Sequence, residues 1–304
     1  MARIQTFLPF DQTDINFNAI YSYGSSSFYN NSYLDFGGQV FEDSAFATYD
    51  IGDYSYLNVI AGRGLQVDGW NDVVSGTITG LFQGVGVSAD DIYDQVYVTG
   101  LSLSGSEYYR AISTISTQDD QAMIRKAFAG NDRFDLGNYA DRAQGHGGND
   151  VMYGNGGNDT LEGGAGNDLI IGGSGNDRIW GGSGIDRQAG GTGYDVFIFR
   201  STAELGRTST TTDVIADFTH GVDRIDLSGI DAMQSVSGDQ AFVFIGTRAI
   251  STSSRGEVSY QQYDRAGTAN DMTLVRIDTD GDRDAEAVIR LTGLHTLSAS
   301  DFIL

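Results

Sequence analysis

An aspartate recurs every ninth residue in the middle of the chain, and this series of carboxylates is the part of the sequence best suited to chemistry. Residues 145–198 read GHGGNDVMY, GNGGNDTLE, GGAGNDLII, GGSGNDRIW, GGSGIDRQA and GGTGYDVFI. We number the nine places of each repeat from its first glycine. Place six holds Asp150, Asp159, Asp168, Asp177, Asp186 and Asp195, and the same spacing reaches back to Asp141 and Asp132.

The other places of the repeat predict a stacked β-structure. Glycines at places one, two and four permit tight turns, so we expect six turn residues and a three-residue strand. Place eight is apolar except at Gln188; it holds Phe134, Ala143, Met152, Leu161, Ile170, Ile179 and Phe197. Such short strands must stack on their neighbours. With two repeats per coil, Asp132, Asp150, Asp168 and Asp186 line one edge, and Asp141, Asp159, Asp177 and Asp195 line the other.

Stacking brings like charges together. Strands in a sheet lie roughly 4.8 Å apart, and two carboxylates at that distance repel by roughly 1 kcal/mol in water and by several kcal/mol near a protein surface. A divalent cation between coils removes this penalty, and a site made only of carbonyl and carboxylate oxygens favours Ca²⁺ over zinc or copper. The alternative is a flexible Gly/Asn/Asp linker, which has no need of a fixed nine-residue period.

These repeats resemble the nonapeptide of the repeats-in-toxin (RTX, hemolysin-type) family, whose fold is a Ca²⁺-binding parallel β-roll. The match is strict over residues 145–195 and degenerate over 127–144. In that family an ion lies between turns eighteen residues apart. The earlier turn gives places two, four and six, and the later turn gives places one, three and six.

The resemblance implies four calcium sites in the regular repeats. They comprise His146, Gly148 and Asp150 with Gly163, Ala165 and Asp168; Asn155, Gly157 and Asp159 with Gly172, Ser174 and Asp177; Gly164, Gly166 and Asp168 with Gly181, Ser183 and Asp186; and Gly173, Gly175 and Asp177 with Gly190, Thr192 and Asp195. His146 would act through its backbone carbonyl.

Two further sites would reach back into the degenerate repeats, where Phe128 and Tyr139 replace glycines. They would draw on Gly130, Asp132, Gly137, Tyr139, Asp141, Gly145, Gly147, Gly154 and Gly156.

Composition narrows the class of protein. The 304 residues carry a formal net charge of −23, which makes nucleic acid and anionic membrane surfaces poor partners and suits cation binding. There is no cysteine, so bound metal would have to stabilise the fold where disulfides cannot. The N-terminal sequence lacks the features of a cleaved secretory signal, and no apolar run reaches membrane-spanning length.

Residues 1–115 are expected to form an antiparallel β domain, a small sandwich or barrel, because apolar and polar residues alternate between Gly and Asp turns. We expect VVSGTITGL and DQVYVTGLSL to pair. The region has no His or Cys, and no HExxH or GxSxG motif. Its aromatic residues could bind a polysaccharide or a cell surface, so we favour a binding or adhesion module. The alternative is a small polysaccharide-acting enzyme that uses two of the acids in residues 50–94.

Residues 116–130 contain the best helical pattern, and we expect this helix to cover the N-terminal end of the roll, residues 131–200. The stretch DVIADFTHGVDRIDLSGID is similar to the C-terminal half of the serralysin β-roll domain. That similarity implies that residues 201–304 cap the roll and end in an uncleaved type I secretion signal, LSASDFIL. We expect residues 278–285 to form the loop of a hairpin that could hold Ca²⁺; its Gly is at the fourth place rather than at the sixth as in an EF-hand.

The sequence therefore predicts an all-β protein, with an N-terminal antiparallel domain, one short helix, a parallel β-roll and a β cap. It predicts a protein that binds several Ca²⁺ ions and is exported by a type I exporter to the outside of the cell, without a cleaved N-terminal signal. Folding would follow Ca²⁺ binding there.

Overall fold

The computed structural model describes residues 125–304 with their side chains, apart from 234–235, 253–254 and 266–269; between residues 3 and 104 it describes the backbone of the strands. The chain divides into two compact units, Met1–Arg142 and Ala143–Leu304. Within the described ranges, no helix is both long and apolar enough to cross a membrane.

The first unit is a β-structure whose described strand pairs are antiparallel except for one, in which Arg3–Thr6 and Arg133–Asp135 run parallel. Its strands are β1 (Arg3–Thr6), β2 (Gly24–Tyr29), β3 (Leu34–Phe36), β4 (Gln39–Phe41), β5 (Asp43–Ile51), β6 (Tyr54–Val67), β7 (Val73–Gly86), β8 (Ile92–Ser104) and β9 (Arg133–Asp135). The main sheet has the order β9-β1-β8-β7-β6-β5-β2, and β3 pairs with β4. The predicted pairing of VVSGTITGL with DQVYVTGLSL is confirmed by the antiparallel β7–β8 ladder. The described strands of this unit form one main ladder, and the small sandwich or barrel stays a prediction.

The predicted helix is described only at its end. Residues 125–127 are helical, and residues 117–124 lie outside the described ranges. Phe128 follows the helix and is 3% exposed. Its ring centroid lies 5.7 Å from that of Phe134, the first place-eight residue. That contact agrees with a helix end packed beside the first repeat, while the covering of the roll by the whole helix stays a prediction.

The regular repeats form a parallel β-roll. After β10 (Arg142–Gln144), the strands are β11 (Val151–Gly156), β12 (Thr160–Ala165), β13 (Leu169–Ser174), β14 (Arg178–Ser183), β15 (Arg187–Thr192) and β16 (Val196–Ile198). Odd-numbered strands pair in one sheet, where Met152 is opposite Ile170 and Ile170 is opposite Gln188. Even-numbered strands pair in a second sheet, where Leu161 is opposite Ile179. Every partner is eighteen residues away, which confirms two repeats per coil.

The strands are twice as long as the repeat pattern predicts. β12, β13, β14 and β15 have six residues each, because places one to three continue to pair with the next coil instead of turning. Only places four to six make the bend. The difference arises from hydrogen bonds between coils, for example from the N–H of Ala165 at place three to the carbonyl of His146 at place two (2.9 Å).

Place eight forms the core of the roll. Its side chains are at most 2% exposed: Phe134, Ala143, Met152, Leu161, Ile170, Ile179, Gln188 and Phe197. Burying a large apolar side chain of this kind contributes about 1.5–3 kcal/mol. Because each coil supplies one such residue per sheet, the coils are stable only as a stack.

The C-terminal part extends both sheets and then leaves the repeat. Its strands are β17 (Val214–Ile215), β18 (Arg224–Asp226), β19 (Val243–Gly246), β20 (Glu257–Tyr263), β21 (Met272–Asp278), β22 (Ala287–Thr292) and β23 (Phe302–Ile303). β17 joins β15 to β22, and β18 joins β16 to β23, all in parallel. β20, β21 and β22 form an antiparallel meander, so residues 278–285 lie in a hairpin loop as predicted.

The last residues are fixed to the body of this unit by Asp301. This carboxylate is fully buried and lies 2.9 Å from Nδ1 of His220. It also accepts hydrogen bonds from the backbone N–H groups of Gly221 (2.9 Å) and Ser298 (2.6 Å). These donors hold the pKa of Asp301 below its usual value, although burial alone would raise it.

Candidate metal centre

The place-six aspartates are buried, and those of the second unit lie along the two edges of the roll. Their side chains are at most 3% exposed: Asp132, Asp141, Asp150, Asp159, Asp168, Asp177, Asp186 and Asp195. Ionised carboxylates are rarely buried unless they are paired or bind a metal. Asp132 and Asp141 belong to the first compact unit and the other six to the second.

One oxygen of each later carboxylate binds the backbone of the coil before it. On the first edge, the N–H of Asp150 donates to Asp168 Oδ1 (2.7 Å), and that of Asp168 donates to Asp186 Oδ1 (2.8 Å). On the second edge, Asp159 donates to Asp177 Oδ1 (2.8 Å), and Asp177 donates to Asp195 Oδ1 (2.9 Å). The predicted division of the aspartates between the edges is therefore confirmed for these residues.

The second oxygen is left without a donor. Oδ2 of Asp168, Asp177, Asp186 and Asp195 is buried and has no hydrogen-bond partner among the described residues. An unsatisfied buried polar atom costs about 1–3 kcal/mol, and more when it carries charge. Each edge thus has two such oxygens on successive coils, an arrangement that suits cation sites between the coils.

Burial also changes the acidity of the row. It is the largest cause that raises the pKa of Asp168 and Asp195 to about 6 and that of Asp186 to about 7. Hydrogen bonds from the backbone oppose this rise, and neighbouring carboxylates add to it at Asp186 and Asp195. Without a cation, these carboxylates therefore ionise at a higher pH than exposed aspartates do.

Backbone carbonyls face the same positions as the free oxygens. Asp168 Oδ2 and the carbonyl oxygen of Gly181 lie 2.3 and 2.6 Å from the point where a Cβ on Gly163 would be. Asp177 Oδ2 and the carbonyl oxygen of Gly190 lie 2.2 and 2.7 Å from the equivalent point on Gly172. Place six of one turn and place one of the turn eighteen residues later therefore converge, as the resemblance implies.

Carbonyls at places two and four are aimed at the next coil. The carbonyl oxygen of Gly164 lies 2.0 Å from the point where a Cβ on Gly182 would be, and that of Gly166 lies 1.8 Å from the same point on Gly184. Gly166 has φ +130°, a left-handed conformation that favours glycine. His146 and Asn155 adopt φ of 66° and 67° at place two, which allows two non-glycine residues to fit the same turn.

The residues predicted for the two degenerate sites are placed less uniformly. Asp141 Oδ2 accepts a hydrogen bond from the N–H of Gly137 (3.1 Å), while Tyr139 is 49% exposed. Asp150 Oδ2 lies 2.1 Å, and the carbonyl oxygen of Gly163 2.5 Å, from the Cβ position of Gly145. The ligand assignments at Asp132 and Asp141 stay predictions.

Sequence reasoning missed two aspartates that continue the rows. The N–H of Asp186 donates to Asp213 Oδ1 (2.9 Å), and that of Asp195 donates to Asp223 Oδ1 (3.1 Å). Burial raises the pKa of Asp213 to about 8. The sequences DVI (213–215) and DRI (223–225) repeat the pattern of places six to eight. They follow the preceding aspartate of their edge by nine and ten residues more than the eighteen of a regular coil, so a search at a fixed period does not find them.

A second row, at place five, was also missed. Asn149 and Asn167 accept hydrogen bonds through Oδ1 from the N–H groups of Asn167 (2.7 Å) and Ile185 (2.8 Å). Asn158 and Asn176 do the same on the other edge, for Asn176 (2.8 Å) and Tyr194 (2.9 Å). These amides stabilise the bends without using the carboxylates, which leaves the aspartate oxygens available to a cation.

Gln188 is the exception in the core. It is fully buried, and neither Oε1 nor Nε2 has a hydrogen-bond partner among the described residues. Nε2 lies 2.8 Å from the point where a Cβ on Gly181 would be, and Asp186 Oδ2 lies 2.3 Å from that point. One coil earlier on the same edge, the corresponding point is the Cβ position of Gly163, and the carbonyl oxygen of Gly181 lies close to it. The Gln188 amide thus lies where the regular repeat stops supplying a carbonyl.

The chemistry of the site suits Ca²⁺. In the regular repeats, the groups that converge at place six are carboxylate and backbone carbonyl oxygens, which are the ligands of hard cations. At the coil of Asp186 the side-chain amide of Gln188 takes the place of the carbonyl. No nitrogen or sulfur ligand of the kind that selects zinc or copper occurs among the place-six and carbonyl groups described above.

A protein-family comparison agrees with this assignment. The family model described as peptidase M10 serralysin C terminal matches residues 93–304. No curated protein matches. Two solution structures of subunits from the mannuronan C5-epimerase of Azotobacter vinelandii are similar. AlgE6R3 has 25% identity and a TM-score of 0.34, over 57% of this chain and 78% of that one. AlgE6R2 has 23% identity and a TM-score of 0.30, over 55% and 89%.

The family model covers well over half of the chain, including every regular repeat and the two added aspartates. Its members carry RTX β-rolls that bind Ca²⁺, in agreement with the stacked acidic residues described above. The chain belongs to the peptidase M10 serralysin C-terminal family, and its roll is a calcium-binding RTX domain.

Proposed function

We propose that this is a secreted protein whose roll folds outside the cell when several Ca²⁺ ions bind between its coils. The observation that carries this proposal is the set of buried, unpartnered Oδ2 atoms on Asp168, Asp177, Asp186 and Asp195. Without a cation these groups oppose folding at neutral pH, and with one they bind the coils together. The ions would occupy the four sites derived from the resemblance.

The energetics suit a folding switch. A ligand that binds only the folded state stabilises it by RT ln(1 + [L]/Kd), which is about 1.4 kcal/mol per site at ten times Kd. Several such sites supply an amount comparable to the whole stability of a small domain. Calcium sites of extracellular modules have Kd values of about 10⁻⁴–10⁻³ M, so the switch would act outside the cell.

Substitution of two aspartates on the same edge of the roll tests the proposal. The double variant Asp168→Asn, Asp186→Asn removes two carboxylates but keeps an oxygen that can accept the backbone hydrogen bonds. We expect the Ca²⁺ concentration at the midpoint of the far-ultraviolet circular dichroism transition to rise at least tenfold. The control Asp239→Asn removes an exposed carboxylate outside the roll. Equal midpoints in the three proteins would contradict the proposal.

We also propose that a type I exporter recognises the C-terminal residues, as the family resemblance implies. Removal of residues 302–304 should stop export while the full chain is still synthesised in the cell. Because β23 lies within these residues, Ca²⁺-induced folding of the purified truncated protein must be measured in parallel. Loss of export with folding retained supports a signal; export at the normal level rules it out.

For residues 1–115 we propose a binding role at a surface, matrix or polysaccharide. This role rests on their antiparallel sheet and on the absence from their sequence of His, Cys, HExxH and GxSxG. Co-sedimentation of the full chain with insoluble polysaccharides in Ca²⁺ tests binding, and a reducing-end assay on the same mixtures tests cleavage. Binding without new reducing ends supports the module, whereas their appearance supports a polysaccharide-acting enzyme.

A further inference from the structure

The hairpin loop between β21 and β22 carries acidic residues that do not belong to the roll. Residues 278–286 read DTDGDRDAE, with five acids and one arginine. Asp278 ends β21, and Glu286 directly precedes β22. The ends of this short loop are fixed by the antiparallel ladder of β21 and β22.

Four of these carboxylates converge on one point. Asp278, Asp280, Asp282 and Glu286 each offer an oxygen, and these four oxygens lie within 4.8 Å of one another. Calcium binds oxygens at 2.3–2.6 Å, so ligands on opposite sides of one ion are about 5 Å apart. The four oxygens therefore fit the shell of a single Ca²⁺.

Asp278 provides an observation that is independent of the clustering. It is fully buried, and its Oδ2 has no hydrogen-bond partner among the described residues. Its Oδ1 is already used, because it accepts the N–H groups of Gly281 (3.0 Å) and Asp280 (3.3 Å). None of the ion pairs formed by the described residues involves Asp278, so among these residues the buried oxygen has no positively charged partner.

The backbone of the loop is set by the same side chains. Asp280 Oδ1 accepts the N–H of Asp282 (3.1 Å), and Asp282 Oδ1 accepts the N–H of Asp284 (2.6 Å). Glu286 Oε2 accepts the N–H of Thr279 (2.7 Å). Each of these three carboxylates thus uses one oxygen to hold the loop and keeps its other oxygen for a ligand.

We propose that Asp278, Asp280, Asp282 and Glu286 form a Ca²⁺ site that is separate from the roll. Four carboxylates and no nitrogen or sulfur ligand select a hard cation, and an irregular hairpin loop suits the flexible coordination of Ca²⁺ better than the octahedron of Mg²⁺. Repulsion among these acids is relieved by the ion. Burial, with the charges of Glu286 and Asp280, raises the pKa of Asp278 to about 6.

The site has a structural consequence in the C-terminal part. β22 pairs in parallel with β17, and the N–H of Arg290 in β22 donates to the carbonyl of Asp213 (3.1 Å). An ion that closes the β21–β22 loop would therefore stabilise the hairpin next to the last coil. The site differs from an EF-hand, because strands rather than helices flank it.

Calcium stoichiometry of the full chain tests the proposal. Equilibrium dialysis with ⁴⁵Ca²⁺ is carried out on three proteins: the unmodified protein, the double variant with both Asp280→Asn and Asp282→Asn, and the control Asp284→Asn. The control removes a charge from the same loop but outside the cluster. At positions 280 and 282, asparagine keeps the side-chain oxygen that accepts the backbone N–H. We expect the double variant to bind one ion fewer than the other two proteins.

If the three proteins bind the same number of ions, the loop does not bind Ca²⁺ and the proposal is refuted. If the double variant loses more than one ion, the loop site is not separate from those of the roll. If the double variant does not fold in Ca²⁺, the single variant Asp282→Asn replaces it, since Asp282 is exposed. The outcome is separable from that of the proposed function. Suppose that the unmodified protein binds a single ion and that the double variant binds none. This result would support the loop site and would refute calcium binding by the roll.

Discussion

Without calcium, the roll should become more stable as the solution is acidified, which is opposite to ordinary acid denaturation. Burial raises the folded-state pKa of Asp168 and Asp195 to about 6, of Asp186 to about 7 and of Asp213 to about 8, from an ordinary value of 3.8. Over this range the folded state binds more protons than the unfolded state, so stability falls as the pH rises from about 4 to about 8.

The magnitude follows from these values. One pKa unit corresponds to 1.36 kcal/mol. Between pH 5 and pH 7.5, ionisation should therefore destabilise the calcium-free fold by about 1 kcal/mol through Asp168 and by about 3 kcal/mol through Asp213. These residues are at most 3% exposed, which limits screening by solvent. With the contributions of Asp186 and Asp195, a total of several kcal/mol, about 4 or more, is expected.

The assay is urea unfolding of the full chain, followed by far-ultraviolet circular dichroism after removal of calcium with a chelating resin. We expect the urea midpoint, or the folded fraction where folding is incomplete, to be higher at pH 5 than at pH 7.5. In 10 mM Ca²⁺ the order should reverse, because protons then compete with the ion. The effect should persist in 0.5 M NaCl, which screens exposed charges but not a buried row. A calcium-free protein that is less stable at pH 5 would refute the reasoning.

Three further substitutions test individual features of the roll. Gly166→Ala places a Cβ 1.9 Å from a carbonyl oxygen at φ +130° and should lower the free energy of unfolding in Ca²⁺ by at least about 2 kcal/mol; Gly130→Ala, with open space around it, should change it little. Gln188→Leu removes a buried amide that has no hydrogen-bond partner among the described residues. The substitution should raise the free energy of unfolding of the calcium-free protein at pH 5 by about 1–3 kcal/mol. A lower free energy of unfolding would show that the amide has a partner. Asn167→Ala removes the acceptor for the N–H of Ile185 and should cost about 1 kcal/mol in chemical denaturation, whereas Ile185→Ala removes no acceptor; equal effects would contradict the role of place five.

The sequence predicts the regular part of the roll because its information is local and periodic. A fixed phase of nine determines which side chain enters the core at place eight, and the two-repeat coil then assigns each aspartate to an edge. The register between coils, with Met152 opposite Ile170, follows from the same period. The converging carbonyls are likewise implied by glycine positions once the family is known.

Features that depend on neighbouring coils were not predictable in the same way. The six-residue strands arise because turn residues such as Gly164 pair with the next coil, which no local pattern records. Asp213 and Asp223 follow insertions, so their places in the rows become evident only when the sheets are aligned in space. Buried carboxylates with a free second oxygen, including Asp278, are also properties of packing rather than of spacing.

The most direct test of the central claim is a Ca²⁺ titration of the full chain at pH 7.5, followed by far-ultraviolet circular dichroism after exhaustive chelation. The unpartnered carboxylate rows predict a cooperative gain of β-structure, with a midpoint near the 10⁻⁴–10⁻³ M range of extracellular calcium sites. A chelated chain that already shows the full β-signal and does not change on adding millimolar Ca²⁺ would contradict the claim that calcium drives the folding of the roll.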